Sequence, residues 1–258
     1  MLFRSDLQLT EGVLLGSIDL TVVANAPVAN IVPEMKIFDM PFLFRDYTHL
    51  EKVVTGPLYD ELARAVAAKG LRLLGIYSSG NRHIMSKQPI NAMADLRGKK
   101  IRTIQNPVHL EAFRAFGANP TPLAYGELYG ALQSGVVDGA EAANNNYQAA
   151  KFYEVANHWA MVGWTYLTVS ILISERKYAS LPADVQQALV TAGRESAIFE
   201  RELLIKTEGP LVEVLKKAGV KITTPDQAPF REAARQVYDK FLTTDSEKRL
   251  LKLVIETR

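Results

Sequence analysis

Short β-branched runs alternate along the chain with amphipathic helical stretches. Asp19-Leu20-Thr21-Val22-Val23-Ala24 predicts a buried strand ending at the loop Asn25-Ala26-Pro27. From Thr48 to Lys69 the apolar positions Leu50, Val53, Val54, Leu58, Leu62 and Val66 recur at helical spacing, and Gly70 stands where a C-cap glycine belongs. Leu71–Tyr77 and His83–Ser86 read as strands flanking Ser78-Ser79-Gly80-Asn81, and Lys100–Ile104 as another. Asn106-Pro107 opens a helix to Phe116, with Gly117 just past its end, the Pro-in, Gly-out asymmetry of helix termini. Glu127–Gln133 predicts a short helix, Val136–Gly139 a short strand, and Thr165–Ser174 a long apolar central strand. Beyond Leu181-Pro182 the pattern is helical almost to the end. One long helix starts around Val185 and Leu189 and is expected to break at Gly209-Pro210, and Val220–Ile222 is the only later strand. This alternation predicts an α/β fold with a mostly parallel sheet. There are too few strand–helix units for an eightfold barrel, so two α/β halves fit better.

Composition narrows the chemistry. The 258 residues are 48% hydrophobic and 22% charged, ordinary for a packed globular protein. The absence of cysteine excludes thiol nucleophiles, zinc–thiolate sites and iron–sulfur clusters. Thirty basic residues against 28 acidic ones leave a net charge of +2, with no basic stripe, so nucleic acid is not an expected partner. No apolar stretch reaches the roughly 18 residues that cross a bilayer. The start, Met1-Leu2-Phe3-Arg4-Ser5-Asp6, lacks a basic-then-apolar secretory pattern; read literally, the chain is cytoplasmic.

Enzyme and metal templates find no match. His49, His83, His109 and His158 are too far apart in sequence to form a local metal pair, and no nucleophile elbow, dinucleotide fingerprint or Walker loop is present. Two arginines stand out. Arg102 lies inside the strand Lys100-Ile101-Arg102-Thr103-Ile104, and Arg82 follows the Ser-Ser-Gly-Asn turn. A guanidinium in a buried strand needs an anionic partner. That partner is either an internal acid or the carboxylate of a ligand, which the planar fork matches with two parallel bonds. Asn144-Asn145-Asn146 offers either helix caps or neutral contacts to a polar ligand, and Trp164 and Tyr166 are either core or an aromatic cleft wall.

Taken together, several stretches resemble the periplasmic solute-binding proteins of TRAP (tripartite ATP-independent periplasmic) transporters, of the DctP type. They run from Glu11-Gly12-Val13-Leu14-Leu15-Gly16-Ser17-Ile18-Asp19 through Phe38-Asp39-Met40-Pro41-Phe42-Leu43-Phe44 and Ile90–Arg102. Gly117-Ala118-Asn119-Pro120-Thr121-Pro122 and Ala131-Leu132-Gln133-Ser134-Gly135-Val136-Val137-Asp138-Gly139-Ala140-Glu141 complete the resemblance, and the sialic-acid-binding members look closest. It implies a two-lobe fold hinged around a cleft and crossed by a long helix, with 1–79 plus 168–207 as one lobe and 80–167 plus 208–258 as the other. It also implies an extracytoplasmic carrier, not an enzyme, that takes a small organic acid without a cofactor and delivers it to the membrane permease subunits. Arg102 matches the carboxylate clamp and Arg82 a second cleft arginine, while Tyr125 and Asn25 fall at or beside ligand-touching positions. Glu141, Asn145 and Trp164 would complete the walls. Where many relatives carry an asparagine this chain has Ala142, so Asn144 or Asn145 is expected to compensate. The resemblance further implies that a signal peptide, a strand and a helix are missing upstream, through a shortened chain or a misplaced start codon, which sets the literal cytoplasmic reading aside. The chain is expected as a monomer or as a dimer paired through the long helix. An enzyme of organic acids on the same fold and an extracytoplasmic sensor are the alternatives.

Overall fold

A computed structural model of the chain describes residues 5–258, so the first four residues of the N-terminal stretch read for a secretory signal lie outside the described residues. The elements in order are α1 Asp6–Leu15, β1 Leu20–Ala24, α2 Asn25–Val28, α3 Tyr47–Thr55, α4 Pro57–Ala68, β2 Leu71–Asn81, β3 His83–Ser86, β4 Lys100–Thr103, α5 Pro107–Ala115 and β5 Asn119–Pro122. There follow α6 Leu128–Ser134, β6 Gly139–Ala142, α7 Asn144–Ala149, β7 His158–Ala160, β8 Tyr166–Ser174, α8 Glu175–Ala179, α9 Ala183–Lys217, β9 Lys221–Thr223, α10 Ala228–Phe241 and α11 Asp245–Glu256.

The fold is α/β with two sheets, one for each lobe. The first has the order β1-β8-β2 and the second β5-β4-β6-β3-β7-β9. The expectation of a mostly parallel sheet is corrected. The first sheet is wholly antiparallel, with Val22 opposite Ile171 and Ile76 opposite Ser170. The second is mixed: β4 runs parallel to β5 and β6 and β7 to β9, while β3 runs antiparallel to β6 and β7. Strand–helix alternation implies parallel neighbours only when successive strands share a sheet. Here β2 leads straight into β3 of the other sheet and β7 returns to β8 of the first. The two crossings are stitched together where the Arg82 N–H donates to the Thr165 carbonyl at 2.7 Å and the Trp164 N–H to the Arg82 carbonyl at 3.0 Å.

Local chemistry explains the remaining differences. The helix expected over 48–69 is two helices, because Gly56 is extended and Pro57 starts a new first turn. The strand expected at 136–139 starts at Gly139, because Gly135 closes α6 in the left-handed region and Val136-Val137 forms the turn that follows. Two prolines place β5 at a sheet edge, where a missing N–H costs no ladder bond.

The predicted break at Gly209-Pro210 does not occur: α9 runs for 35 residues through Pro210, roughly 50 Å. One lost backbone bond is outweighed by packing on both sides of it, with Arg201, Leu204 and Glu208 buried before and Leu215 after. The helix packs on β2 of the first sheet and on α7 beside the second, so it spans the two lobes. Its seat on β2 requires two glycines, since a Cβ at Gly193 would lie 2.6 Å from the Leu74 carbonyl oxygen and one at Gly75 would lie 2.5 Å from that of Gly193. At the C-terminus α10 packs on α5, while α11 packs on α4 and on the 3-10 turn Pro33–Asp39. Among the described residues no helix is long and apolar enough to cross a membrane.

Candidate functional site

Three charged side chains, each no more than 3% exposed, meet where the sheets face one another. The parallel strand β4 carries Arg102 near its C-terminal end, the position at which open α/β sheets present ligand-binding groups. Glu141 comes from β6, next to β4, and Arg82 from the crossing between β2 and β3. The Arg82 Nε donates to Glu141 Oε2 at 2.6 Å, its Nη2 to the Glu141 carbonyl at 3.1 Å and its Nη1 to Asn146 Oδ1 at 3.0 Å. Arg102 is held differently: its Nε and Nη2 both donate to the Leu123 carbonyl, at 3.0 and 2.8 Å. Its Nη1 stands 3.6 Å from Glu141 Oε1, too far for a hydrogen bond, and that buried oxygen has no hydrogen-bond partner among the described residues.

A cavity of about 400 Å³ opens over this cluster, lined from the first sheet by residues such as Val22, Leu167 and Val169 and from the second lobe by Arg102, Leu123, Tyr125 and Asn146. The structure thus brings together Arg82, Arg102 and Tyr125 on the wall, with Glu141 joining the two arginines. Tyr125 is 48% exposed and packs its ring edge-on against Phe152.

Three expected contacts are corrected. Asn25 is fully buried and spent internally, donating to Thr168 Oγ1 at 2.7 Å and accepting from the Ser170 hydroxyl of β8. Trp164 is a core residue, fully buried with its ring edge-on to His109 and Phe113. Asn145 does not line the cavity; its Oδ1 accepts the Asn146 N–H at 2.8 Å. Nor does Asn144 replace the asparagine absent at Ala142, because it accepts from Trp159 Nε1 at 2.9 Å. The asparagine on the wall is Asn146, which shares its Oδ1 between Arg82 and the Ser79 hydroxyl. Asp6, also on the wall and accepting the Ala24 N–H at 3.2 Å, was missed as well.

The electrostatics favour an incoming anion. Burial by itself pushes the Glu141 carboxyl up, but Arg82, with help from His109 and Arg102, holds it below the ordinary range, so it stays charged. Burial lowers the Arg102 guanidinium, and Glu141 offsets this only in part. Arg82, Arg102 and Glu141 sum to +1, which Asp6, a carboxyl raised by burial, offsets only in part, and an incompletely compensated buried charge is costly. The Nη1 edge of Arg102 is where a further carboxylate oxygen would neutralise it. Asp6 is the weaker acid of the site, raised by burial and only partly offset by the Ala24 N–H and Arg102.

The family described as "Bacterial extracellular solute-binding protein, family 7" (DctP) matches residues 2–245. The 2,3-diketo-L-gulonate-binding periplasmic protein YiaO of Escherichia coli K12 is 34% identical over 235 residues, 90% of this chain and 72% of that one. The crystal structure of a TRAP periplasmic solute-binding protein from Xanthobacter autotrophicus Py2, with bound β-D-galacturonate, superposes with a TM-score of 0.95 at 33% identity, covering 98% of this chain and 85% of that one. One from Roseobacter denitrificans, with bound β-D-glucuronate, gives 0.94 at 30% identity over 98% and 85%. These relatives are solute-binding proteins of transport systems, not enzymes. Their named ligands are sugar acids, and the expected nearness to sialic-acid-binding members finds no support among them.

Proposed function

The chain belongs to family 7 of the bacterial extracellular solute-binding proteins, and from that premise we propose that it captures a small sugar acid on Arg102 in the periplasm and delivers it to TRAP membrane permease subunits. The observation that carries the reading is the +1 cluster beneath the cavity, in which Arg102 keeps its Nη1 edge without a hydrogen-bond partner among the described residues. A carboxylate there makes charge-assisted bonds, and closure of the lobes excludes water and strengthens them. Closure also supplies the difference in shape that a permease could read, because the solute shifts the population toward whichever form it binds better. The hinge lies at the paired crossings at Arg82 and 161–165, a few residues from the boundaries 79/80 and 167/168 of the proposed lobes, with α9 as the third connection. The proposed lobe of 80–167 and 208–258 is divided at its end, since α11 packs on first-lobe elements. On the outer face of α9 the side chains Phe199 and Leu203, one turn apart, are exposed, which supports pairing of two copies through that helix over a lone monomer.

The test is a thermal-shift panel of uronates and other organic acids. A solute at a thousand times its Kd stabilises the native state by about 4 kcal/mol, and each kcal/mol is worth about 2–4 °C in a chain of this size. A rise of that size with one class of acid, lost in Arg102→Ala, supports the proposal. A flat panel, or a shift that survives Arg102→Ala, overturns it.

A further inference from the structure

Arg82 places three of its five N–H donors inside the protein, two on Glu141 and one on Asn146. It thereby holds the Asn146 side chain, which lines the cavity beside it. The Asn146 Oδ1 takes two donors, Arg82 Nη1 at 3.0 Å and the Ser79 hydroxyl at 3.1 Å. That sets which way the amide faces and leaves Nδ2, a donor, without a hydrogen bond among the described residues in a side chain that lines the cavity. Ser79, on the same wall, gives its proton to Asn146 and keeps acceptor capacity.

We propose that Asn146 is a solute-contacting residue whose amide nitrogen recognises an oxygen on the carbon next to the solute carboxylate, so that the site selects α-oxygenated carboxylic acids. The inference rests on the reading of Arg102 as the carboxylate anchor. Arg102, Glu141, Arg82 and Asn146 form an unbroken row, with successive contacts of 3.6, 2.6 and 3.0 Å. A carboxylate seated at the Arg102 end places its α-substituent toward the Asn146 end. A neutral donor there accepts a ring, keto or hydroxyl oxygen without adding charge, and a hydroxyl can return its own proton to Ser79 Oγ. A plain hydrocarbon at that position leaves the amide unpaired, and an unmade bond at a buried polar group is what discriminates against the wrong ligand.

Titration calorimetry with two acids of one shape tests this: tetrahydropyran-2-carboxylate, with an α ring oxygen, and cyclohexanecarboxylate, without one. The wild type is expected to bind the first about tenfold more tightly. Asn146→Ala should abolish that ratio by weakening the first acid alone. Asn146→Asp, which keeps the acceptor for Arg82 and Ser79, should also abolish it, because its charge acts on both acids alike. A wild-type ratio near one, or a tenfold ratio that persists in both variants, overturns the inference. D-galacturonate separates the two layers: if it binds through Arg102 while the ratio is one, only the Asn146 assignment falls; if wild type binds none of the three acids, the carboxylate reading falls and takes this inference with it.

Discussion

Glu141→Gln should move stability and affinity in opposite directions. The substitution keeps the shape of the side chain and removes the single negative charge between Arg82 and Arg102, taking the innermost cluster from +1 to +2. With no solute present, two buried guanidinium groups then lack their counter-ion. Removing one partner of a buried pair costs about 3–5 kcal/mol, and the low end is expected here because the amide oxygen can still accept from Arg82 Nε. The orientation of both arginines should survive: Arg82 keeps its bonds to the residue 141 carbonyl and to Asn146, and Arg102 keeps both bonds to Leu123. A solute carboxylate then meets a stronger field. At about 6 Å and an effective dielectric near 20, the deleted repulsion is worth about 2–3 kcal/mol, tenfold or more in affinity. Urea denaturation of the free protein measures the loss, and calorimetric titration with a sugar acid measures the gain. If Glu141→Gln weakens binding as well as folding, Glu141 is no internal competitor of the solute and the charge argument for the site is wrong.

Acid should expose a second buried group. Burial in the first place, and Arg82 in the second, push the His83 imidazole down to about 3 from its ordinary 6.5. The folded state therefore keeps it neutral while the unfolded chain takes up a proton. Its stabilising effect is complete above pH 6.5 and falls by about 1.4 kcal/mol per pH unit as the pH drops toward 3. His83 Nδ1 accepts the Gly163 N–H at 2.9 Å, a bond that Asn can imitate. Urea titrations of wild type and His83→Asn between pH 6.5 and 4 should show the steeper loss in wild type, and parallel profiles would count against it. Gly193→Ala tests the seat of α9. At an exposed helix position this exchange gains about 1 kcal/mol, but here the new methyl meets the Leu74 backbone at 2.6 Å. A loss of about 1–3 kcal/mol is expected from overpacking, read as a lower urea midpoint; a variant as stable as wild type would show that the helix can shift.

Most strands and helices were legible because apolar spacing reports which face of an element is buried. Sheet membership was not, since nothing in the run from β2 to β3 announces that the chain changes sheets at Arg82. The two arginines were legible as charges inside strands, but the identity of their partners was not. Arg82 meets an acid 59 positions away and Arg102 a carbonyl 21 away, contacts made only when β4, β6 and the crossing come together. Three adjacent asparagines look equivalent in sequence. On α7 they point in successive directions about 100° apart, so one reaches Trp159, one accepts its neighbour's N–H and one lines the cavity, and the phase is set by where the helix begins. Asn25 misled for a similar reason. Its position at a strand end was right, but its partners Thr168 and Ser170 are more than 140 residues away, on the strand that β1 pairs with.

The guanidinium at position 102 carries the account, and isothermal titration of a sugar acid into wild type, Arg102→Ala and Arg102→Lys addresses it most directly. Loss of a charge-assisted contact worth about 1.5–3 kcal/mol predicts affinity tenfold to a hundredfold weaker in Arg102→Ala. Little should be recovered in Arg102→Lys, because a point charge cannot reproduce the fork. Equal affinity in all three proteins would contradict the assignment.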